Sequence, residues 1–132
     1  MNTFDILPLN KQLRNAIDDL GFVKPTPIQE QSFPVVRSGT DVVGIAQTGT
    51  GKTLAYMLPI LQDIKFQKID TPRVLILVPT RELVLQVVER VQEFSKYMNL
   101  RVLGVYGGTN INTQKKACAL GVDVVVATPG RL

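Results

Sequence analysis

The sequence predicts an α/β protein in which helices cover both faces of a mainly parallel sheet, a three-layer arrangement. Four short runs rich in Val, Leu and Ile alternate with helical patterns, and the runs show little alternation of apolar and polar residues. Such runs are typical of parallel strands that are buried on both faces, and strands that alternate with helices build this class of sheet. The runs are residues 41–46, 74–78, 100–106 and 122–127.

Two helices are predicted ahead of the first strand. The first has an apolar face and is closed by Gly21. That face is lined by Leu13, Ile17 and Leu20. The second begins at Thr26-Pro27, because Thr is a good N-cap and Pro suits the first helical position, and Pro34 is expected to bend or interrupt it. Residues 1–40 are too few for a core of their own, so we expect them to pack on the sheet domain of residues 41–132.

Between the later strands, residues 81–96 form an amphipathic helix, since their apolar residues recur at helical spacing. These are Leu83, Val84, Val87, Val88, Val91 and Phe94. A shorter helix over residues 112–120 is ended by Gly121. Residues 64–72 are polar and are expected to form a loop.

A glycine-rich segment follows the first strand and precedes a helix. It consists of Ala46, Gln47, Thr48, Gly49, Thr50, Gly51, Lys52 and Thr53. Strand, glycine-rich turn, Lys-Thr and helix in this order predict a phosphate-binding loop. Gly49 and Gly51 can adopt backbone angles that turn consecutive N–H groups toward phosphate oxygens, and the helix dipole adds to that field. Lys52 would reach the β- and γ-phosphates and the Thr53 hydroxyl would bind Mg²⁺. The general pattern opens with Gly, and this chain has Ala46 there.

Composition narrows the function classes. The chain has 132 residues, a net charge of +4, no histidine and a single cysteine, Cys118. The absence of histidine excludes His-based acid–base catalysis and His metal sites, and one cysteine cannot form an internal disulfide. No stretch approaches the roughly 20 apolar residues of a membrane span, and there is no signal-peptide pattern. We therefore expect a soluble, cytoplasmic protein without a membrane partner.

Several motifs together resemble a known family. In order, they are Phe4, GFVKPTPIQ from Gly21 to Gln29, AQTGTGKT from Ala46 to Thr53, PTREL from Pro79 to Leu83, Gly107-Gly108, and TPGR from Thr128 to Arg131. This order and spacing resembles the N-terminal half of the first RecA-like domain of a DEAD-box RNA helicase, and that family also has Ala at the position of Ala46. The resemblance implies a RecA-like P-loop NTPase fold, ATP and Mg²⁺ as cofactors, and RNA-stimulated ATP hydrolysis coupled to unwinding of RNA duplexes.

The resemblance implies that the GFVKPTPIQ segment, with Lys24, Thr26 and Gln29, recognises adenine. A Gln amide matches the amino donor and the N7 acceptor of adenine as a bidentate pair, whereas guanine presents two acceptors on that edge. Gln29 also fits a capping box, in which it would bond back to Thr26. Phe4 matches the aromatic residue that stacks on the adenine ring in this family, and its alternative is a core aromatic.

The resemblance also implies a set of RNA contacts. The residues are Pro79, Thr80, Arg81, Gly107, Gly108, Thr128, Pro129, Gly130 and Arg131. In the family these motifs contact the sugar-phosphate backbone, and hydroxyls, turn N–H groups and guanidinium groups at strand ends suit phosphates. None of them is placed to distinguish bases, so RNA binding should be independent of sequence and dependent on salt. Each motif alone is better explained as an ordinary turn or helix start. Together, at the carboxyl ends of strands, where α/β sheets bind their ligands, they favour RNA contacts.

The acidic residue that metal-dependent hydrolysis requires at the end of a strand is missing from the sequence. The strand ends are followed by Pro-Thr, Gly-Gly and Thr-Pro, and Asp123 stands at the start of its strand. The DEAD motif, the Ser-Ala-Thr motif and the second RecA-like domain of the family are absent too. We therefore expect a fragment, truncated before the DEAD motif, that neither hydrolyses ATP at a useful rate nor unwinds RNA. Its uncovered sheet edge would favour self-association.

Three other interpretations fit parts of the sequence. A small-molecule kinase or GTPase would share the phosphate loop, but no Asn-Lys-x-Asp motif for guanine is present. A non-catalytic RNA- or partner-binding module would bind RNA without dependence on nucleotide. A DNA helicase would share the fold, but the adenine element together with TPGR resembles the RNA enzymes.

Overall fold

The structure is a computed structural model that describes residues 3–47, 51–64, 71–107, 111–119 and 121–131. It confirms the α/β class: helices occur together with an all-parallel sheet. The described residues divide into two units, one from residues 1–65 and 93–98 and the other from residues 66–92 and 99–132. The predicted boundary near residue 40, and the packing of the N-terminal segment on the sheet, stay predictions.

The described elements follow one another as a short 3₁₀ helix, three α-helices, and then strands that alternate with helices. They are the 3₁₀ helix Phe4–Ile6, α1 (Lys11–Asp19), α2 (Pro27–Arg37), α3 (Lys52–Asp63), β1 (Val74–Leu77), α4 (Arg81–Phe94), β2 (Val102–Val105), α5 (Ile111–Ala119) and β3 (Val124–Ala127). Within the part of the chain that the structure describes, no helix is long and apolar enough to cross a membrane.

The first unit is helical. Helix α1 begins at an Asn10 cap, whose Oδ1 accepts a hydrogen bond from Leu13 N at 2.8 Å, and it buries Leu13 and Ile17 as predicted. Helix α3 packs against α2 and α1 and buries more side chains than either of them. These are Leu54, Ala55, Met57, Leu58 and Leu61.

Helix α2 begins directly after Thr26, with Pro27 in its first turn, as predicted. Pro34 was expected to bend or interrupt this helix, and the interruption is wrong, because the helix continues to Arg37; a bend at Pro34 stays a prediction. Pro34 removes one backbone donor without ending the helix. The Arg37 guanidinium, near the end of α2, bonds both carboxylate oxygens of Asp63 at 3.0 and 2.9 Å, which joins the ends of α2 and α3.

The second unit contains the sheet, in which β3 lies between β1 and β2 and is parallel to both. Every residue of β3 is buried, which explains the uninterrupted apolar run in the sequence. Strand β1 is at the edge, and its Leu75 and Leu77 are each 52% exposed. Self-association through this edge stays a prediction.

One predicted strand is missing. Residues 41–46 carry the apolar run that predicted the first strand, but in the structure they belong to no sheet, and Val43 and Ile45 are 91% and 93% exposed. A strand needs a hydrogen-bonded neighbour as well as apolar residues, and the three described strands all belong to the other unit. The prediction of a strand here was therefore wrong for this structure.

A buried carboxylate closes the amino end of the sheet. Asp123 directly precedes β3, and its side chain is 1% exposed. One carboxylate oxygen contacts the Nη2 atoms of Arg73 and Arg101, each at 3.2 Å, and the other accepts from Arg101 N at 3.0 Å. Burial opposes ionisation of this carboxyl, but the hydrogen bonds from Arg101 and Arg73 outweigh it, so that the pKa of Asp123 is lowered.

Asp123 makes the stability of the sheet unit depend on pH. Because its pKa is lower in the folded chain than in the unfolded chain, its contribution is complete above the unfolded pKa of about 3.9 and is lost as the pH falls through the folded value. Asp123→Asn should lower the free energy of unfolding at pH 7 by about 3 kcal/mol, because both guanidinium groups lose their buried partner. It should also flatten the pH dependence below about pH 4. Urea unfolding across a pH series measures both effects. Glu89→Gln, an exposed carboxyl on α4, is the control, and an equal effect in that variant would contradict the assignment.

Candidate functional site

Gln29 connects the start of α2 to the start of α3. It is 4% exposed. Its Oε1 accepts a hydrogen bond from Thr26 N at 3.0 Å, and its Nε2 donates to Gly51 O at 3.1 Å. The capping interaction with Thr26 is therefore confirmed. The same amide joins the GFVKPTPIQ motif to Gly51 of the glycine-rich segment. The role of Gln29 in adenine recognition stays a prediction.

The start of α3 has the features of an anion site. Gly51 precedes the helix in the left-handed conformation, with φ of 78°, as the sequence predicts for this glycine. No side chain caps the helix, so its first N–H groups are not used by a capping side chain. Lys52 is exposed and Thr53 is partly exposed at this end. Thr48, Gly49 and Thr50 lie outside the described residues.

A tyrosine that the sequence analysis missed lies beside Thr53. Tyr56 follows one helical turn later on α3, so the two side chains share a face. Burial raises the pKa of the Tyr56 hydroxyl, and a hydrogen bond with the Thr53 side chain opposes this rise only in part. Spacing of three residues on a helix was the only signal in the sequence.

The other predicted nucleotide contacts are distributed around this unit. Phe4 is 5% exposed, and its backbone N donates to Val23 O at 3.2 Å, which fits the alternative of a core aromatic. Lys24 and Gln47 are exposed, and Ala46 is partly buried. Stacking of Phe4 on adenine and the roles of the other three residues stay predictions.

The predicted RNA motifs meet at one edge of the sheet. Because the three strands are parallel, their carboxyl ends lie side by side. This is the edge at which α/β sheets bind their ligands. Val78 N donates to Ala127 O and Thr128 N donates to Val105 O, each at 3.0 Å. These bonds hold PTREL, TPGR and the end of β2 next to one another. Gly107 is exposed there, and Gly108 lies outside the described residues.

Some groups in these motifs form local hydrogen bonds, and others are exposed. The Thr80 hydroxyl accepts from Leu83 N at 3.2 Å and so caps α4, and Arg131 N donates to Thr128 O at 3.1 Å in a turn. Arg81 is exposed, as are Pro79 and Thr80. The interpretation as local structure is therefore confirmed for these two hydrogen bonds, and contact with RNA stays a prediction.

Tyr106 was not among the predicted site residues. This residue directly follows β2, and the Arg81 guanidinium lies over its ring, with 5.2 Å between Arg81 Cζ and the ring centroid. An aromatic residue immediately before the Gly-Gly pair was the signal in the sequence that could have identified it.

Comparison with known proteins identifies a family. The DEAD/DEAH box helicase family model matches residues 26–132. The ATP-dependent RNA helicase DeaD of Buchnera aphidicola subsp. Acyrthosiphon pisum is 45% identical over 132 residues, which cover 99% of this chain and 22% of that protein. DeaD of Escherichia coli is 45% identical over 131 residues, with 98% and 21% covered. The pre-mRNA-processing ATP-dependent RNA helicase PRP5 of Lodderomyces elongisporus is 50% identical over 119 residues, with 87% and 12% covered. The chain spans about a fifth or less of the length of these curated relatives.

Replacing Gly51 should disrupt the connection between α2 and α3. In Gly51→Ala the new Cβ would lie 2.3 Å from Gln29 Nε2, at a backbone angle that disfavours side chains. Gly39 has a similar φ, 81°, and a Cβ there would meet no atom within 4 Å. Gly39→Ala should therefore lower the free energy of unfolding by about 1–2 kcal/mol through backbone strain alone. Gly51→Ala should lower it by clearly more. Thermal unfolding of the two variants compares them directly. Equal destabilisation would show that the Gln29 contact contributes nothing.

Proposed function

The chain belongs to the DEAD/DEAH box helicase family, and on that basis we propose that it carries the ATP-binding site and part of the RNA-binding surface of an ATP-dependent RNA helicase. The observation that carries the proposal is the hydrogen bond from Gln29 Nε2 to Gly51 O. It joins a motif proposed to recognise the base to one proposed to bind phosphate, although Gln29 and Gly51 are 22 positions apart in the chain.

The side-chain amide of Gln29 has unused hydrogen-bonding groups that could bind a base. A Gln amide has two N–H donors and two lone pairs on its oxygen. Thr26 N uses one lone pair and Gly51 O accepts from one N–H, so one donor and one acceptor remain. Adenine, with a donor and an acceptor on one edge, matches that pair, whereas guanine presents two acceptors. Selectivity for adenine over guanine is therefore the expected property of this site.

The start of α3 suits the phosphates. Its first N–H groups have no capping side chain and carry the positive end of the helix dipole, and the exposed Lys52 ammonium adds a full charge. The Thr53 hydroxyl, on the same face of α3 as Tyr56, would bind Mg²⁺. When bound, Mg²⁺ neutralises charge on the phosphate oxygens. One protein hydroxyl is a fitting contribution because Mg²⁺ retains water and binds substrate phosphates.

The carboxyl edge of the sheet suits the RNA backbone. Arg81 and Thr80 at the start of α4, the exposed Gly107 and the TPGR turn offer guanidinium, hydroxyl and N–H groups. Such groups bind phosphate and sugar and do not distinguish bases. We therefore propose binding that is independent of RNA sequence and weakens as salt is added.

Nucleotide binding by the chain should be selective for adenine and should depend on both motifs. Fluorescent ADP should bind in competition with ATP and much less with GTP. Lys52→Ala should weaken binding tenfold or more, because it removes a charge-assisted contact. Gln29→Ala should reduce the preference for ADP over GDP, because recognition of one base contributes about 1–3 kcal/mol of discrimination.

Matched variants separate recognition from folding. Lys11→Ala removes the same charge from the start of α1, and Gln31→Ala removes an exposed amide from α2, so both should bind like the wild type. A purely structural role of Gln29 would weaken ADP and GDP equally and leave their ratio unchanged. That result would refute adenine recognition by this residue.

Hydrolysis should require groups that this chain does not contain. None of the three described strands is followed directly by an acidic residue, and Asp123 lies at the amino end of β3 in contact with Arg73 and Arg101. We propose that the acidic motif and a second RecA-like domain complete the catalytic site in the parent protein. A steady-state ATPase assay of the 132-residue chain should show no stimulation by RNA. RNA-stimulated turnover that is lost in Lys52→Ala would overturn this proposal.

A further inference from the structure

An aromatic ring lies within the predicted RNA surface and belongs to none of its motifs. Tyr106 stands between the end of β2 and Gly107, and its side chain is partly buried. The Arg81 guanidinium lies over the ring at 5.2 Å from Arg81 Cζ to the centroid. Arg81 belongs to the PTREL motif at the start of α4, so the contact joins this motif to a residue that follows 25 positions later in the sequence.

The packing of α4 on β2 brings these two side chains together. A Cβ built on Gly104 would lie 2.9 Å from Val84 and 3.2 Å from Val88, so α4 approaches β2 closely at a residue without a side chain. Arg81 precedes Val84 by about one helical turn. Tyr106 follows Gly104 by two residues and therefore lies on the same face of the sheet. The ring and the guanidinium thus extend the contact that Gly104 permits.

The backbone around Tyr106 is held by two hydrogen bonds. The ring itself lies near Gly104, since a Cβ built on that glycine would be 3.7 Å from Tyr106 Cε1. Gln114 Nε2 on α5 donates to Tyr106 O at 3.1 Å. Thr128 N donates to the preceding carbonyl, Val105 O, at 3.0 Å. Tyr106 is consequently fixed by α5 and by the start of TPGR.

Arg81, in contrast, is exposed. Within the part of the chain that the structure describes, its guanidinium has the Tyr106 ring as its partner and no hydrogen bond or ion pair. A guanidinium that stacks through its face keeps its N–H donors at the edge, where they match the oxygens of a phosphate. A free arginine side chain would have to be ordered when it binds, and a stacked one is ordered in advance.

We propose that Tyr106 is a positioning residue for RNA binding, whose ring holds the Arg81 guanidinium with its N–H edge directed at a backbone phosphate. This inference rests on the proposed function, since it identifies how one phosphate contact of the RNA surface is organised. Tyr106 acts through Arg81 and makes no contact with a base.

Binding of a fluorescein-labelled oligouridylate to the 132-residue chain, followed by fluorescence anisotropy at several KCl concentrations, tests the proposal. Tyr106→Leu should bind about two- to fivefold more weakly, as expected for loss of one exposed cation–π contact. Tyr106→Phe keeps the ring and should bind like the wild type. Arg81→Ala should bind more weakly than either variant. It should also lower the magnitude of the salt slope, the slope of log K against log[KCl], by about 0.7, because one phosphate contact to a single strand is lost.

The double variant distinguishes positioning from direct contact. If Tyr106 acts through Arg81, Tyr106→Leu should have little further effect in the Arg81→Ala background. A ring that stacked on a base would instead weaken binding to the same extent in both backgrounds and leave the salt slope unchanged. That result would overturn the proposal, as would equal losses in Tyr106→Phe and Tyr106→Leu.

Two further outcomes separate this inference from the proposed function. If the wild type binds RNA and Arg81→Ala binds equally well, the inference fails and the RNA surface stands. If the folded wild type binds no RNA, the proposed RNA surface fails and the positioning role fails with it. Ring-current shifts of the Arg81 side-chain protons report on the stacking itself. We expect them in the wild type and in Tyr106→Phe and not in Tyr106→Leu. Unshifted Arg81 protons in the wild type would overturn the inference directly.

Discussion

The parallel register of β3 between β1 and β2 is the constraint on which the sheet unit depends. Val74 and Val102 both pair with Val124, and Leu77 and Val105 both pair with Ala127. Because the three strands run in the same direction, their carboxyl ends form one edge and their amino ends the other. A slip of one residue would exchange the two faces of a strand and would shift the loop that follows it. The loops that follow the strands are therefore fixed next to one another, whatever they bind.

The two edges of this sheet have opposite chemistry. At the amino edge, the Asp123 carboxylate contacts both Arg73 and Arg101, so its negative charge is compensated within the chain. At the carboxyl edge, Arg81 has an aromatic partner and its charge is not compensated by a carboxylate among the described residues. A cation that is ordered but not neutralised suits an anionic ligand. The same architecture thus uses charge for stability at one edge and presents charge at the other.

Several residues have both a structural and a proposed functional role. Gln29 caps α2 and bonds to Gly51, and the Thr80 hydroxyl caps α4. Each group has hydrogen-bonding capacity left, since an amide has two donors and two lone pairs and a hydroxyl that accepts can also donate. The capping and ligand-binding interpretations of these motifs are consequently compatible. This explains why the local pattern alone did not decide between them.

The sequence by itself determined the α/β class, most helix positions, the start of α2 after Thr26 and the left-handed Gly51, because these depend on periodicity, caps and the backbone freedom of glycine, which are local. It also identified the family through motifs in a fixed order. Tertiary structure decided what depends on a neighbour. Residues 41–46 have the composition of a strand but pair with none of the strands that the structure describes, and α2 continues past Pro34. The Tyr106–Arg81 contact and the second hydrogen bond of Gln29 join residues that are distant in the chain. No local pattern contains these pairings, because they arise only when packed elements bring the side chains together.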